Sequence, residues 1–330
     1  MQSTVPHISD IKNQTYLVTG GAGFIGSNLV SYLLKNGAKE VRVLDNLSTG
    51  NKENLKEFEN NPTFKFILGD ITNYQTCYEA CANVDGVFHN AALGSVSRSL
   101  EDPLATNHAN VTGFITILTA AKNQQVKRVV YASSSSVYGD DVSAEKQEHI
   151  TGKLLSPYAV SKKTDELYAS IFYKSYGLPI IGLRYFNVFG PKQNPNGQYA
   201  AVIPIFISHI LNNNAPSIFG DGTTSRDFTF IDNVVYANVL AMTTQNPEAI
   251  DQVYNVAYGA STSLNTLFEL IKKQIDSPIS ASYKPERKGD IKNSLANIDK
   301  AKKHLHYKPL IDIETGIIET IKWYKSNFIK

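Results

Sequence analysis

The sequence predicts an α/β fold, in which a parallel sheet is doubly wound by helices on both faces and a smaller α/β lobe is interleaved toward the C-terminus. Two observations predict the sheet. Short β-rich runs alternate with helix-like stretches over residues 1–188, as in parallel strands joined by crossover helices. The first of these runs also meets a glycine-rich turn, which is typical of a Rossmann sheet.

The composition is that of an ordinary globular protein. A chain of 330 residues is long for one hydrophobic core, so a large domain with a second lobe is expected. The formal net charge of +2 gives no reason to expect nucleic acid or a membrane surface as a partner. No run of about 18 apolar residues and no basic-then-apolar start is present, which favours a cytoplasmic protein. Cys77 and Cys81 stand apart from other Cys or His residues, so we expect packing residues and no metal site.

The glycine-rich turn follows the β-rich residues Thr15–Thr19 and precedes a helix. Residues 20–26 read Gly-Gly-Ala-Gly-Phe-Ile-Gly, and apolar residues then keep helical spacing. Glycines let the backbone turn tightly and approach a pyrophosphate, whose charge lies at the helix N-terminus. The spacing is G-x-x-G-x-x-G rather than the commoner G-x-G-x-x-G. We therefore predict a dinucleotide cofactor, bound in this turn by Gly20, Gly23, Phe24, Ile25 and Gly26.

An acidic residue ends the second predicted strand. Asp45 follows residues 40–44, about 20 residues past the glycines, where a ribose-binding carboxylate belongs. A carboxylate there accepts hydrogen bonds from a 2′-hydroxyl and repels a 2′-phosphate, so we expect NAD rather than NADP. The alternative is that Asp45 only starts the turn at residues 45–50.

Further strands are predicted at residues 64–68, 84–88, 126–132 and 178–184. Ligand loops of a doubly wound sheet lie at the carboxyl ends of its strands. We therefore expect these loops to supply more cofactor contacts, from Asp70, Ile71, Ala91 and Ala92, in addition to Asn46 after the second strand. A helix over residues 105–122 carries Asn110, a residue type that usually needs a tertiary partner inside a helix.

A serine run and a Tyr-x-x-x-Lys pair follow the fifth predicted strand. Residues 133–136 are all serine, and the next helix opens with Ser156 as N-cap and Pro157 at its first position. That helix presents Tyr158 and Lys162 on one face, about one turn apart. A free phenol has a pKa of about 10, and a nearby cation favours the phenolate. We predict that Tyr158 is the general base. Such a pair alone often arises by chance, but the glycine turn upstream favours the catalytic interpretation.

The alternation loosens from about residue 190. A helix is predicted near residues 203–211, and C-terminal helices at about 263–275 and 313–328. The β-rich residues 228–231 and 253–256 indicate one return to the sheet. We therefore predict an NAD-binding domain over residues 1–188 with a return segment at about 228–258. The rest of residues 189–330 would form the second lobe.

These motifs resemble those of the extended short-chain dehydrogenases/reductases, and among them the nucleotide-sugar 4-epimerases. The resemblance covers nearly the whole chain and rests on residues 20–26, 45–47, 89–92, 110–113, 134–139, 158–162 and 184–190. Residues 196–204, 220–227 and 287–294 are similar to bacterial epimerases of UDP-GlcNAc and UDP-GalNAc, or of the matching uronates, that serve surface polysaccharide synthesis.

The resemblance implies roles for particular residues. Ser134 hydrogen-bonds the sugar O-4 beside Tyr158, and Lys162 also holds the nicotinamide ribose. Asn110 steadies the catalytic helix, and Asn110, Tyr158 and Tyr185 also contact the cofactor. The residues implied to bind substrate are Ser134, Ser135, Ser136, Asn187, Ala201, Val202, Arg226, Arg287, Asp290 and Ser294.

Three of the implied substrate residues decide how a nucleotide sugar is held. Arg226 and Arg287 clamp the pyrophosphate, for which a fork of donors is well suited; a solvated surface charge is the alternative for each. Ser294 is small and leaves room for an acetamido group at C-2. The resemblance also implies a homodimer through the helices near residues 105–122 and 157–176.

The sequence thus predicts one function and leaves three alternatives open. We predict NAD-dependent C-4 epimerisation of a UDP-N-acetylhexosamine through a 4-keto intermediate. The first alternative is the matching uronate as substrate. The second is a 4,6-dehydratase or decarboxylase, which needs an acid/base pair or a carboxylate where Ser135 and Ser136 stand. The third is an NAD-binding regulatory protein, against which the intact Ser134, Tyr158 and Lys162 argue.

Overall fold

A parallel sheet forms the centre of the larger lobe. The structure, a computed structural model, describes residues 5–6, 8–195, 200–286 and 292–327. The strands of the sheet are β1 (Thr15–Thr19), β2 (Glu40–Asp45), β3 (Phe64–Leu68), β4 (Gly86–His89), β5 (Arg128–Ser134), β6 (Ile180–Tyr185) and β11 (Gln252–Val256). Their order is β3-β2-β1-β4-β5-β6-β11, and each neighbouring pair is parallel. The predicted doubly wound sheet is confirmed.

Helices cover both faces of this sheet because its strands carry apolar side chains in both directions. In β1, Tyr16 and Val18 join one buried cluster and Leu17 joins another, since successive side chains of a strand point to opposite faces. The helices around the sheet are α1 (Phe24–Lys35), α2 (Tyr74–Ala80), α3 (Val96–Glu101), α4 (Pro103–Asn107), α5 (Gly113–Asn123), α6 (Pro157–Tyr176) and α8 (Ile231–Thr243). On one face α1 packs on α8; on the other, α5 packs on α2 and α6.

The helix predicted over residues 105–122 is not continuous. It is divided into α4, a π-helical turn at His108–Thr112 and α5. A π-turn carries an extra residue per turn and occurs mostly as a single turn at functional sites. The short 3-10 helices are Ser9–Ile11, Lys52–Phe58, Ser135–Tyr138 and Pro247–Ala249.

The remaining elements form small mixed sheets with flanking helices. The strands are β7 (Val188–Phe189), β8 (Ser217–Phe219), β9 (Ser225–Arg226), β10 (Thr229–Phe230), β12 (Thr262–Ser263), β13 (Ser282–Lys284) and β14 (Asn293–Ser294). They pair as β10-β7, β12-β9-β14 and β13-β8. The helices are α7 (Val202–Leu211), α9 (Leu264–Ile275), α10 (Asp299–Leu305) and α11 (Ile313–Asn327).

The predicted return to the main sheet is right for residues 253–256 and wrong for residues 228–231. β11 pairs with β6, but β10 pairs with β7 outside the main sheet. The physical reason is that α8 begins at Ile231, which leaves only two residues extended. The division of the chain at residues 188 and 189 stays a prediction. One buried apolar cluster includes residues of α1, α8, α9 and α11, which accords with an interleaved second lobe.

Candidate active site

Most of the residues predicted to bind the cofactor surround one cleft, although Asn110, Tyr158, Lys162 and Tyr185 are not among its lining residues. Its volume is about 300 Å³, and it lies at the carboxyl ends of the central strands, where doubly wound sheets bind ligands. The predicted residues that line it are Gly20, Gly23, Phe24, Ile25, Gly26, Asp45, Asn46, Asp70, Ile71, Ala91 and Ala92. The lining residues Ser48, Thr49, Asn90 and Leu93 were not predicted. Asn90 was within reach, because it stands beside Ala91 in a motif that the prediction used.

The glycine turn packs too closely to hold larger side chains. Gly20 has a φ of +67°, and a Cβ there would lie 2.7 Å from the Ala91 backbone nitrogen. A Cβ on Gly26 would lie 2.3 Å from the Gly20 carbonyl oxygen. Gly23 precedes α1 as its N-cap, and the first N–H groups of a helix have no partner within it. The cradle therefore fits the pyrophosphate of a dinucleotide.

Asp45 fastens the glycine turn to the turn that follows β2. Its Oδ2 accepts a hydrogen bond from the Ala22 N–H at 2.9 Å, and its Oδ1 accepts one from the Leu47 N–H at 2.8 Å. The turn-forming role that the sequence left as an alternative is therefore present. Each carboxylate oxygen keeps a further lone pair and can accept another hydrogen bond. The contact of Asp45 with a ribose hydroxyl stays a prediction.

Asp70 closes the cleft from the side of β3. Its Oδ2 accepts from the Asn46 amide at 2.8 Å, and its Oδ1 accepts from the Thr72 N–H at 2.8 Å and the Thr72 hydroxyl at 2.7 Å. Burial alone would raise the pKa of Asp70, but the hydrogen bonds from Thr72 and Asn46 outweigh it and lower the pKa. Asn46 and Asp70, both predicted cofactor residues, are thus held together.

The catalytic candidates meet where β5 ends and α6 begins. Ser134 Oγ accepts a hydrogen bond from the Ser136 N–H at 3.1 Å and caps the 3-10 helix Ser135–Tyr138, which packs on α6. Ser156 Oγ accepts from the Ala159 N–H at 3.1 Å, as predicted for the N-cap. Ser136 Oγ is buried without a hydrogen-bond partner among the described residues, which fits a site that receives a polar ligand.

Lys162 joins the catalytic helix to the strand that ends in Ser134. Its Nζ donates to the Ala132 carbonyl oxygen at 3.0 Å and to Asp165 Oδ2 at 3.2 Å, and the residue is only 2% exposed. Tyr158 lies one turn earlier on α6 and is half-buried. Asp165 was not predicted, because an acidic residue among other charged residues of a helix resembles a solvated one.

Asn110 supports the catalytic helix from the π-turn. Its Oδ1 accepts from the Leu93 N–H at 2.7 Å, and its Nδ2 donates to Ser161 Oγ at 3.0 Å. Ser161 immediately precedes Lys162 on α6. The contacts fit the implied role of Asn110 in steadying this helix, while a contact with the cofactor itself stays a prediction.

The side chains of His89 and Tyr185, which lie near the cleft, are buried and form hydrogen bonds with other core residues. Thr19 Oγ1 and His89 Nδ1 share a hydrogen bond of 2.8 Å, and burial lowers the pKa of His89 to about 3, so its ring is neutral. The Tyr185 hydroxyl exchanges hydrogen bonds with Asn238, at 2.9 Å and 3.1 Å, and burial raises its pKa. The same hydroxyl lies 3.4 Å from Oδ1 of Asn90, which lines the cleft. A contact of Tyr185 with the cofactor stays a prediction.

A buried ion pair locks α6 against β5 and β6. The Arg184 guanidinium donates two hydrogen bonds of 2.8 Å to the Glu166 carboxylate, and Ser133 Oγ donates to Glu166 Oε1 at 2.8 Å. Burial alone would raise the pKa of Glu166, but the hydrogen bonds from Arg184 outweigh it and lower the pKa. Ser133 is the neighbour of Ser134, so this pair fixes the strand end on which the catalytic candidates depend.

Three of the predicted substrate residues are brought together by the small sheets. Arg226 and Ser294 are partners in the parallel pairing of β9 with β14. Asp227 links them to Asn187, because its N–H donates to the Ser294 carbonyl at 2.9 Å and its carbonyl accepts from Asn187 Nδ2 at 3.2 Å. Ala201 and Val202 stand at the start of α7. Arg287 and Asp290 lie outside the described residues, as does part of the motif at residues 196–204.

Two further features are absent from the residues that the structure describes. No group of three or more His, Cys, Asp or Glu side chains is placed to hold a metal ion. No helix is both long enough and apolar enough to span a bilayer.

Comparisons with known proteins point to one family. The profile of the "NAD dependent epimerase/dehydratase family" matches residues 16–257. A solved UDP-N-acetylglucosamine 4-epimerase from Methanobrevibacter ruminantium M1, in complex with UDP-N-acetylmuramic acid, is 41% identical, with a TM-score of 0.91 over 96% of this chain and 100% of that chain. The UDP-glucuronate 4-epimerase of Thermodesulfobacterium geofontis is 37% identical over 94% of this chain and 96% of its own length. The UDP-glucose 4-epimerase of Mycolicibacterium smegmatis is 36% identical over 94% and 98%.

Proposed function

Because the chain belongs to the NAD-dependent epimerase/dehydratase family, in which it is an NAD-dependent nucleotide-sugar 4-epimerase, we propose that its substrate is a UDP-N-acetylhexosamine. The reaction interconverts the C-4 epimers, UDP-GlcNAc and UDP-GalNAc, for surface polysaccharide precursors in the cytoplasm. The observation that carries the choice of sugar is the pairing of Ser294 with Arg226. A small side chain beside a residue suited to the pyrophosphate leaves space for an acetamido group. The relative at 41% identity is itself named as a UDP-N-acetylglucosamine 4-epimerase.

The cofactor is NAD, held by the glycine turn and by the residues at the ends of β2, β3 and β4. Bound there, NAD would supply a hydride acceptor and donor for C-4 of the sugar, so the proposed reaction passes through a 4-keto sugar that is reduced on its other face. Within this proposal the glycine turn receives the pyrophosphate at the N-terminus of α1. Asp45 accepts hydrogen bonds from the adenosine ribose, and its charge disfavours a 2′-phosphate.

The chain's own residues move the O-4 proton. Tyr158, as phenolate, takes that proton directly or through Ser134, and returns it when the sugar is reduced. Lys162 favours the phenolate through its charge. Its ammonium is held at a fixed place by the Ala132 carbonyl oxygen at 3.0 Å and by Asp165 at 3.2 Å. Asn110 steadies the same helix through Ser161.

Epimerisation requires that the keto sugar rotates in the site, so that its opposite face receives the hydride, while the rest of the substrate stays bound. Arg226, together with Arg287 and Asn187, anchors the diphosphate in this proposal. Ser134, Ser135 and Ser136 line the sugar site with small hydroxyls, which hydrogen-bond a sugar in more than one orientation. The unpartnered Oγ of Ser136 supports this assignment.

The serine run also weighs against a dehydratase or a decarboxylase. Those reactions move a proton at C-5 or release carbon dioxide, and they need an acid/base pair or a carboxylate after the position of Ser134. Ser135 and Ser136 occupy those places and have no group that is ionised near neutral pH. The choice between the neutral sugar and the uronate is tested by comparing the two substrates directly.

Incubation of the purified protein with UDP-GlcNAc and, separately, with its C-6 carboxylate tests the proposal. Proton NMR should reveal the C-4 epimer of the neutral sugar, formed faster than that of the uronate. Tyr158→Phe is the matched variant: it should bind NAD as the wild type does and be nearly inactive. Faster epimerisation of the uronate would overturn the choice of substrate, and full activity of Tyr158→Phe would overturn the choice of base.

The proposal includes the homodimer expected through the helices near residues 105–122 and 157–176, and it adds α3 to that surface. These helices pack on one another and carry exposed apolar side chains: Leu100 is 62% exposed, Leu104 81%, Leu167 60% and Ile171 53%. Apolar side chains at this density mark an interaction surface. Sedimentation should give a dimer for the wild type and a monomer for Leu167→Glu. A monomeric wild type would contradict the proposal.

A further inference from the structure

Asp165 is a buried carboxylate that contacts the lysine of the proposed active site. It stands three residues after Lys162 on α6 and is 1% exposed. Its Oδ2 lies 3.2 Å from Lys162 Nζ, while its Oδ1 is buried with no hydrogen-bond partner among the described residues. Burying a carboxylate with one oxygen unsatisfied costs free energy. A residue that only stabilised the fold would be expected to have both oxygens satisfied.

The position of Asp165 controls two properties of Lys162. An ammonium has three N–H donors, and two of them are held, by Ala132 at 3.0 Å and by Asp165 at 3.2 Å. Because the ammonium is tetrahedral, these two hydrogen bonds also fix the direction of the third N–H. When Asp165 is ionised it also offsets the positive charge of Lys162, and when it is neutral that charge is not offset.

The groups around Asp165 leave Lys162 as its ionic partner. On its own helix, Glu166 is engaged by Arg184 of β6. On β5, Tyr131 is a fully buried phenol whose pKa is raised by burial and by the nearby carboxylates of Glu166 and Asp165. On β4, His89 is neutral. Burial raises the pKa of Asp165 to about 7, and attraction to Lys162 only partly offsets it. The carboxyl therefore changes charge near neutral pH.

We propose that Asp165 is a positioning residue that acts through Lys162: it orients the ammonium and moderates the positive charge that reaches the Tyr158 phenol. This inference rests on the proposed function, because it takes Tyr158 as the base. It goes beyond that function by assigning control of the base to a residue that acts through its contact with Lys162. Ionised Asp165 weakens the preference of Tyr158 for the phenolate, and loss of the Asp165 charge strengthens it.

The size of the effect follows from the helix. Tyr158 and Asp165 are seven residues apart on α6, which is about 10 Å along the axis. A unit charge at that distance, at an effective dielectric constant of about 20, shifts a titration by about one pH unit. Asp165→Asn, which keeps the shape and one acceptor oxygen, should therefore move the Tyr158 titration about one unit lower.

An ultraviolet titration of tyrosinate measures this without any substrate. The chain has 18 tyrosines, so each protein is compared with its own Tyr158→Phe counterpart, and the difference isolates Tyr158. The matched control is Asp251→Asn, which removes a carboxylate that faces Ser170 and Lys174 of the same helix, away from Lys162. Asp251 has a φ of +57°, a conformation that asparagine also tolerates.

The titration has outcomes that separate the inference from the proposed function. The inference predicts a shift for Asp165→Asn and none for Asp251→Asn. Equal shifts in both, no shift in either, or no tyrosinate from Tyr158 in any protein would overturn it. If Asp165→Asn does not fold, Asp165→Ser removes the same charge and should give the same shift. A wild type that titrates as predicted yet fails to epimerise UDP-GlcNAc would refute the proposed substrate and leave the role of Asp165 standing.

Discussion

Replacing Asp45 tests how the cofactor cleft is held and how the cofactor is selected. Asp45 is 8% exposed, and its oxygens accept from the N–H groups of Ala22 and Leu47 at 2.9 Å and 2.8 Å. Asp45→Ala leaves both donors without acceptors, at about 1–3 kcal/mol for each buried group. Water entering from the cleft recovers part of this cost. NAD binding also loses the proposed hydrogen bonds from the ribose to a charged acceptor, which contribute about 1.5–3 kcal/mol. A net loss of about 1.4–2.8 kcal/mol in the free energy of binding corresponds to about 10- to 100-fold weaker NAD binding.

Asp45→Asn separates the hydrogen bonds from the charge. The amide keeps one acceptor oxygen and loses the negative charge, so NAD binding should weaken less than in Asp45→Ala. Binding of NADP should rise relative to NAD, because the repulsion of its 2′-phosphate is gone. Calorimetric titration of the cofactor-free protein with each dinucleotide measures both effects. Unchanged NAD affinity in Asp45→Ala, or an unchanged preference for NAD in Asp45→Asn, would refute the reasoning.

Three further substitutions test the supports of the site. In Gly26→Ala the added methyl would lie 2.3 Å from the Gly20 carbonyl oxygen. Thermal unfolding should therefore show a loss of about 1–3 kcal/mol in stability, and the protein should bind less NAD. The control is Gly94→Ala, whose methyl meets no described atom within 4 Å. Glu166→Gln leaves Arg184 buried without its counter-charge, and urea unfolding should show a loss of about 3–5 kcal/mol. The lowered pKa of Glu166 means that the contribution of the ion pair is complete above the ordinary carboxyl pKa of about 4.3 and is lost as pH falls through the lower folded value; a wild-type stability that is flat below pH 4 would count against it. Asn110→Leu unpairs Leu93 and Ser161, and the epimerisation rate should fall about tenfold for each 1.4 kcal/mol of support lost; a wild-type rate would remove Asn110 from the site.

The large sheet could be predicted from the sequence, because its strands are apolar-rich runs bounded by glycine or polar turns, and all except the edge strand β3 are largely buried. Residues 15–19 and 64–68 match β1 and β3, whereas β4, β5 and β6 begin two residues later than predicted. The small sheets could not be predicted in the same way. A two-residue strand such as β10 has no period, and its pairing is fixed by the helix that follows it.

The site was predictable where a motif has a fixed geometry. Two motifs have such a geometry: glycines at a strand-to-helix turn, and a tyrosine one helical turn before a lysine. Once the strand order is known, the positions of these residues follow. Asp165 and the Glu166–Arg184 pair could not be found in this way, because burial of a charged helical residue depends on which helix face packs on β5 and β6. The π-turn at residues 108–112 also left no signal beyond the unusual Asn110 inside a helix.

UDP-GlcNAc deuterated at C-4 gives the most direct test of the central claim. If the hydride leaves C-4 and returns to it on the opposite face, proton NMR should show the C-4 epimer with the label retained at C-4, and Tyr158→Phe should yield almost none. Washout of the deuterium into water, or a product that has lost the C-6 oxygen, would contradict epimerisation by this site.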